Sequence, residues 1–289
     1  MRVSKAVITA AAPDQRALPR QTVINSEGER NTVLGVLVEE AVRAGVEQVC
    51  VVVHPGDESV CAEAAGAHAE HVRVIPQVNP RGYGHALYCA REFVGADPFL
   101  HMVGDHLYVS SGNNCAQQLI RAAEQHSCSI SGVQPTRENL LPYFGTVGGH
   151  RVPGTRDLFL VERVSEKPTP TEAEQSLTIP GLRAGHYLCF FGMHVLTPTV
   201  MELLHQRVTE PGSGNIHLSP VLSQLAARER YLALEMQGRR FPIDVRYGLL
   251  MAQLALALEG KDRDEVLTGL CELLAQHKLG ASSAGKTDQ

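Results

Sequence analysis

Asp105 and the residues leading to it are the first candidates for chemistry. They stand in Gly82-Tyr83-Gly84-His85-Ala86, followed by an apolar run from Pro98 to Val103 and then Gly104-Asp105. A glycine turn opens a helix, and the next strand delivers a carboxylate at its C-terminal end. That arrangement suits a divalent cation bridging phosphates, because glycines let a ligand approach the backbone. The stretch reads as a nucleotide site. Glu166-Lys167-Pro168 ends a later strand. The Glu can accept from sugar hydroxyls and the Lys can neutralise a phosphate, although a plain charged pair at a strand end is the commoner meaning. The first strand runs into Ala12-Pro13-Asp14-Gln15-Arg16, with Arg20 close behind. A loop at that place in a doubly wound sheet usually meets phosphate, so Arg16 and Arg20 could supply cations, or could be solvated arginines on an ordinary turn. Gln77 could pair with a nucleobase edge, but a solvated loop glutamine is the commoner reading. Gly145, in Tyr143-Phe144-Gly145-Thr146, could admit a sugar ring against the backbone or merely bend an edge strand.

The histidines around Asp105 offer less. His101 lies in an apolar strand and reads as a hydrogen-bonded core residue. His106 adjoins Asp105 but should point away from it in an extended chain, which disfavours a histidine-ligated metal. Ser110, Ser111 and the remaining histidines show no triad arrangement.

The elements that must position these residues alternate along the first half. Strands are predicted at Ala6–Ala11, Gln48–Val53, Val72–Ile75, Phe99–Val103 and Ser127–Val133. Helices are predicted at Val33–Ala44, Glu58–Ala65, His85–Phe93 and Asn114–Gln125. Such alternation implies right-handed crossovers and a mostly parallel sheet. After Pro135 the pattern changes, with strands at Phe144–Arg151 and Leu158–Val164, a polar stretch at Pro168–Leu182 that reads as a surface excursion, and a strand at His186–Met193. Helices Thr199–Gln206 and Leu218–Arg228, short strands Tyr231–Met236 and Phe241–Asp244, and helices Tyr247–Leu258 and Asp262–His277 complete the chain. The small polar residues Gly280–Gln289 are predicted to be disordered.

Composition sets the outer bounds. The chain has 289 residues, 44% hydrophobic and 20% charged, which supports a sizeable core in one large domain or two small ones. A formal net charge of −5 argues against a general polyanion binder such as a nucleic-acid-binding protein, but not against one phosphate pocket. The seven cysteines are scattered with no Cys-x-x-Cys, which suggests reduced thiols in a cytoplasmic protein. The apolar runs are too short to span a membrane, and no signal peptide is apparent.

In this order and spacing, the pieces resemble the bacterial UTP–glucose-1-phosphate uridylyltransferases, within the sugar-1-phosphate nucleotidyltransferases. The likeness runs from Lys5-Ala6-Val7-Ile8 to about Leu258. It passes through Val38–Val46, Val51-Val52-Val53-His54, Gly82–Ala90, Gly104-Asp105, Phe144-Gly145-Thr146-Val147, Val164–Pro168 and Gly248-Leu249-Leu250. The resemblance implies a Rossmann-like α/β/α sandwich with a mostly parallel central sheet, an inserted β region over the sugar site and C-terminal helices. It suggests a catalytic domain at 1–259, a helical extension at 260–279 and the tail at 280–289. It implies a Mg2+-dependent attack of glucose 1-phosphate on the α-phosphorus of UTP, giving UDP-glucose and pyrophosphate. Carried over residue by residue, Gln77 and Gly82 hold the uracil, Gly145 and Glu166 the glucose, Lys167 its phosphate and Asp105 the magnesium, while Arg16 falls on the arginine of the first loop.

Three departures accompany the likeness. The family's first loop reads Gly-x-Gly-Thr-Arg, where this chain has Ala12-Pro13-Asp14-Gln15-Arg16. Pro13 removes a backbone donor and Asp14 adds a negative charge. The family's Pro-Lys-Glu falls on Asn25-Ser26-Glu27, so that lysine is absent; Arg20 or Arg30 could replace its charge. The late Asp-x-Gly becomes Pro242-Ile243-Asp244, with the acid two residues later, on the same face of an extended segment. Asp244 is therefore a second candidate ligand. The departures keep open a relative that binds nucleotide sugars without turnover, and an enzyme using another triphosphate such as dTTP or another sugar phosphate. The apolar face of Val266, Leu270, Leu273 and Leu274 could pack on the domain or form a homo-oligomer interface.

Overall fold

The computed structural model describes residues 1–212 and 214–283, with side chains to residue 276. The order is β1 (Lys5–Ala10), β2 (Thr22–Ile24), β3 (Arg30–Thr32), α1 (Val33–Arg43), β4 (Gln48–Val53), α2 (Glu58–Ala64), β5 (Val72–Pro76), α3 (Tyr83–Cys89), α4 (Arg91–Val94) and β6 (Phe99–Val103). Then come β7 (His106–Val109), α5 (Cys115–His126), β8 (Ser129–Arg137), β9 (Thr146–Arg151), β10 (Leu158–Ser165), α6 (Pro170–Ser176) and β11 (His186–Leu196). Helices α7 (Thr199–Thr209) and α8 (Leu218–Arg228), strands β12 (Tyr231–Glu235) and β13 (Arg239–Pro242), and helices α9 (Gly248–Glu259) and α10 (Arg263–Ser283) follow.

The main sheet has nine strands in the order β5-β4-β1-β6-β11-β8-β12-β10-β9. Strands β5, β4, β1 and β6 are parallel; β11 runs against both β6 and β8, so β8 and its parallel partner β12 return to the common direction. Only β10 and β11 oppose it. Two-residue periodicity divides the apolar side chains between the faces. Ala6, Ile8, Val49 and Val51 join one core with α1, α5 and α9, while Val7, Cys50 and Val52 join another with α3, α7 and α8. The result is the expected α/β/α sandwich. Helix starts are locally encoded: Thr32 Oγ1 accepts from Gly35 N at 2.9 Å, and Asn114 Oδ1 from Gln117 N at 2.7 Å.

The segment after Pro168 differs from the expected surface excursion. Thr169 caps α6, Pro170 occupies its first turn, and Ala173 and Leu177 are buried with Leu141, Tyr187 and Cys189 in a small third core. Thr169-Pro170-Thr171-Glu172 is a capping-box pattern that announces this helix. Helix α10 continues to Ser283, four residues into the stretch expected to be disordered. Residues 284–289 of that tail lie outside the described residues. Among the described residues, no helix is long and apolar enough to cross a membrane.

Candidate active site

The first grouping is built at the carboxyl ends of β1 and β6. Gly104 N donates to Thr9 O at 2.9 Å, and a Cβ on Gly104 would stand 2.7 Å from that oxygen. Only glycine lets the two strand ends close this tightly, and the turn they make delivers Asp105. His106 does not point away as an extended chain would require. Its Nδ1 lies 2.6 Å from Asp105 Oδ1, because the backbone turns before β7 begins. Burial works against the Asp105 carboxylate, but the bonds from His106 and from Gln15 outweigh it and hold the group below its ordinary pKa.

Asp244 reaches the same place from β13. Strand β13 pairs with β7, with Pro242 opposite His106, and Ile243 N donates to Asp105 O at 2.9 Å. Gln15 Nε2 donates to Asp244 Oδ2 at 3.1 Å. Burial and the charge of Asp105 push Asp244 above its ordinary pKa. A carboxylate whose ionisation is made costlier by a second, charged carboxylate beside it is a fit for a cation. No group of three or more His, Cys, Asp or Glu among the described residues could hold a metal by itself. Mg2+ is commonly held by one or two carboxylates plus substrate phosphates, so this donor set suits it.

Arg16 lies in the same loop as Gln15 but is turned to Asp57, before α2. Its Nε and Nη2 sit 2.7 and 2.6 Å from the two Asp57 oxygens, which raises the pKa of Arg16 and lowers that of Asp57.

Gln77 is 3% exposed, so it is not the solvated loop residue that its sequence context favours. Its Nε2 donates to Gly82 O at 3.0 Å and lies 3.1 Å from His85 Nδ1. Both amide hydrogens are thereby engaged and Oε1 is left as an acceptor. Gly82 has φ +91°, and its missing Cβ makes room for Ile216, whose carbonyl oxygen would lie 2.9 Å from it. Ile216 N donates to Arg81 O at 2.7 Å and Gly84 N to Ile216 O at 2.8 Å, stitching the segment before α8 to the glycine turn.

Gly145 immediately precedes β9, and Glu166 and Lys167 immediately follow β10. Ser219, buried near the start of α8, donates to Glu166 Oε2. A Cβ on Gly145 would stand 2.7 Å from Phe190 Cδ2 and 3.1 Å from the same Ser219 Oγ. Ser219 thus joins two positions 21 residues apart in the chain, and nothing local in the sequence marks it. Lys167 is exposed and has φ +48°, a left-handed conformation that costs a non-glycine residue about 1–2 kcal/mol. His101 is a core residue as expected, fully buried, with Nδ1 3.0 Å from Val7 O.

Asn25-Ser26-Glu27 forms the turn between β2 and β3, where Ser26 O accepts from Lys261 N at 2.9 Å. That turn therefore packs against the entry to α10.

An α/β/α sandwich with its carboxylates and glycine turn at the strands' carboxyl ends belongs to the doubly wound α/β class, in which ligands bind at that edge of the sheet. Residues 16–242 match the family model described as nucleotidyl transferase, and the chain belongs to that family. It is 26% identical over 306 residues to the UTP–glucose-1-phosphate uridylyltransferase of Bacillus subtilis (strain 168), covering 96% of this chain and 99% of that one. It is 28% identical over 291 residues to UTP–glucose-1-phosphate uridylyltransferase 1 of Streptococcus pyogenes serotype M3, covering 89% of this chain and 90% of that one. Among solved structures, UDP-glucose pyrophosphorylase from Acinetobacter baumannii superimposes with TM-score 0.71 at 25% identity, over 94% of this chain and 99% of that one. A UDP-glucose pyrophosphorylase complexed with UDP-glucose gives TM-score 0.72 at 21% identity, over 88% and 98%.

Proposed function

We propose that this chain transfers the uridylyl group of UTP to glucose 1-phosphate, releasing pyrophosphate and forming UDP-glucose. The observation that carries the reading is the presence of two separate side-chain groupings at the ends of strands. Asp105, Asp244 and Gln15 form one, and Gly145, Glu166 and Ser219 the other. The names of the relatives agree with it.

Each residue then has a role. Gln77 offers Oε1 to the N3–H of uracil, with Gly82 beside it. Ser219 occupies one oxygen of Glu166, leaving the other for a sugar hydroxyl, while Gly145 lets the ring approach. Lys167 meets the phosphate of the sugar and reduces its repulsion from the triphosphate. Asp105 and Asp244 would hold Mg2+, which when bound supplies charge neutralisation to the triphosphate. Arg16, and Arg20 near it, add positive charge once Asp57 releases Arg16. Alignment and neutralisation are most of what phosphoryl-type transfer requires. All these residues lie within 1–259, which we assign as the catalytic unit.

The test is pyrophosphate release with Mg2+, glucose 1-phosphate and each of UTP, dTTP, CTP, ATP and GTP. Turnover with UTP above the others supports the reading, and preference for another triphosphate overturns its base assignment. One observation favours a second reading, a nucleotide-sugar-binding protein without turnover: the first-loop arginine is tied to Asp57 in a loop carrying Pro13 and Asp14. Calorimetric binding of UDP-glucose with no turnover would establish that alternative.

A further inference from the structure

His106 touches one of the two acids, yet the roles assigned above leave it out. Its Nδ1 lies 2.6 Å from Asp105 Oδ1. An ionised carboxylate only accepts, so Nδ1 carries a proton and donates it. A ring N–H on a carboxylate at that distance is a charge-assisted bond, among the stronger kinds a protein makes. It commits Nδ1 to Asp105, so His106 is no metal ligand through that atom and acts on Asp105 instead.

The ring is held in turn. The His106 side chain is 14% exposed and faces Tyr108, the next side chain on that side of β7, with centroids 6.4 Å apart and planes 23° apart. Tyr108 stacks on Phe191 at 5.4 Å and donates to Gly192 O at 2.9 Å. Gly192 has φ +88°, and a Cβ there would stand 2.9 Å from the Tyr108 hydroxyl and 3.7 Å from His106 Cδ2. Strand β13 fixes the backbone, with Pro242 opposite His106 and Ile243 N bonded to Asp105 O. The imidazole is therefore braced, and the Asp105 carboxylate takes its orientation from it. The other acid is oriented differently, by the Gln15 amide on the loop after β1.

We infer that His106 is a positioning residue for the cation: its Nδ1–H holds Oδ1 of Asp105 and leaves Oδ2 for the divalent ion that Asp105 and Asp244 share. The inference rests on the metal assignment proposed above and adds to it the residue that aims one ligand. Partners that orient a metal's ligands in this way are worth about 10- to 100-fold in metal affinity.

The experiment compares His106→Phe, which fills the place of the ring without a donor, with His106→Asn, whose amide N–H stands about where Nδ1–H does. Mn2+ is titrated into the full chain and the free ion is read by electron paramagnetic resonance, with Asp105→Asn as the reference for a lost ligand. His106→Phe is expected to weaken Mn2+ binding about 10- to 100-fold, and His106→Asn to keep it within about threefold. In pyrophosphate release with UTP and glucose 1-phosphate, the Mg2+ concentration for half the maximal rate should rise by the same factor in His106→Phe, with the rate recovered at saturating Mg2+. Unchanged Mn2+ binding in His106→Phe overturns the inference. So does an equal loss in the Phe and Asn variants, which would make the packing of the ring, rather than its N–H, the support. His106→Ala, read against His106→Asn, decides in the same way if the Phe variant does not fold. If the unaltered chain binds Mn2+ but releases no pyrophosphate with any triphosphate, the catalytic reading fails alone, and the binding comparison still decides on His106. An unaltered chain whose Mn2+ binding is absent, or is untouched by Asp105→Asn, overturns the metal assignment and this inference together.

Discussion

Replacing Asp105 by Asn removes one negative charge while changing almost nothing else. The side chain keeps an amide oxygen where Oδ1 accepts from His106 Nδ1 at 2.6 Å, so the turn into β7 retains its hydrogen bond. Weakening a charge-assisted bond to a neutral one should cost about 1 kcal/mol of stability or less. Catalysis should lose far more. Asp105 and Asp244 are the two acids that meet here, and the pKa of Asp244 is raised partly by the charge of Asp105. With that charge gone, Asp244 titrates closer to its ordinary value and remains as a single carboxylate for Mg2+. Losing one fixed group that acts on transition-state charge costs roughly 3–4 kcal/mol, on the order of a hundredfold to a thousandfold in rate. The assay is pyrophosphate release across a Mg2+ titration, with thermal unfolding alongside. The expected result is a fall of that size, partly recovered at high Mg2+, with little change in Tm. Full activity at low Mg2+ would refute the metal assignment, and a collapse of Tm would refute the claim that the charge is functional rather than structural.

Other outcomes follow from the same geometry. Gly145→Ala puts a Cβ 2.7 Å from Phe190 Cδ2, so the KM for glucose 1-phosphate should rise about tenfold, with a stability loss of ~1–3 kcal/mol; steady-state kinetics and thermal melts check both. At Lys167 the φ of +48° separates conformation from charge: Lys167→Gly and Lys167→Ala should both lose turnover, but the glycine variant should be more stable than the alanine one by about 1 kcal/mol in urea unfolding. The buried His101 and the half-buried Glu40 should pull stability in opposite directions with pH. The pKa of His101 falls from 6.5 to about 4, so its contribution is full above 6.5 and is lost on acidification toward 4. Burial raises Glu40 from 4.5 to about 7, so its contribution is full below 4.5 and is lost as pH rises to 7. Glu40→Gln should therefore gain on the unaltered protein by up to about 3 kcal/mol between pH 4.5 and 7, and parallel stability curves would refute the assignment.

The nine strands of the main sheet, most of the helices and their order were legible because they depend on local pattern, whereas the short strands β2, β3 and β7 were not expected. Val49–Val53 is apolar throughout and lies between helices, and that is how a central parallel strand reads. Residues whose roles arise from contacts between distant elements were not legible. Ser219 matters because α8 packs where β10 ends, and Asp57 because α2 starts beside the β1 loop. His106 was misjudged because period-two reasoning holds only within a strand, and the chain turns at Asp105. Gln77 was misjudged because its burial depends on Gly82 and His85, which close over it from the following turn. The α6 helix carried a readable capping box, but three prolines nearby and a polar composition obscured it.

The first loop shows how a site can change in sequence and keep its electrostatic logic. A glycine-rich loop meets phosphates with backbone N–H groups, which Pro13 forbids at one position. Here the loop is held by side chains instead: Gln15 is anchored on the acidic pair, and Arg16 on Asp57. Both anchors are partly or largely exposed, and exposed ion pairs are weak. A triphosphate brings more negative charge than one carboxylate, so it can draw Arg16 away from Asp57 at little cost. The same exchange leaves Asp57 unpaired beside an anionic ligand, with Arg20 as the nearby cation acting on it. Asp57→Asn should then lower the KM for UTP severalfold and reduce its dependence on salt, whereas an arginine that never leaves Asp57 predicts no change in either.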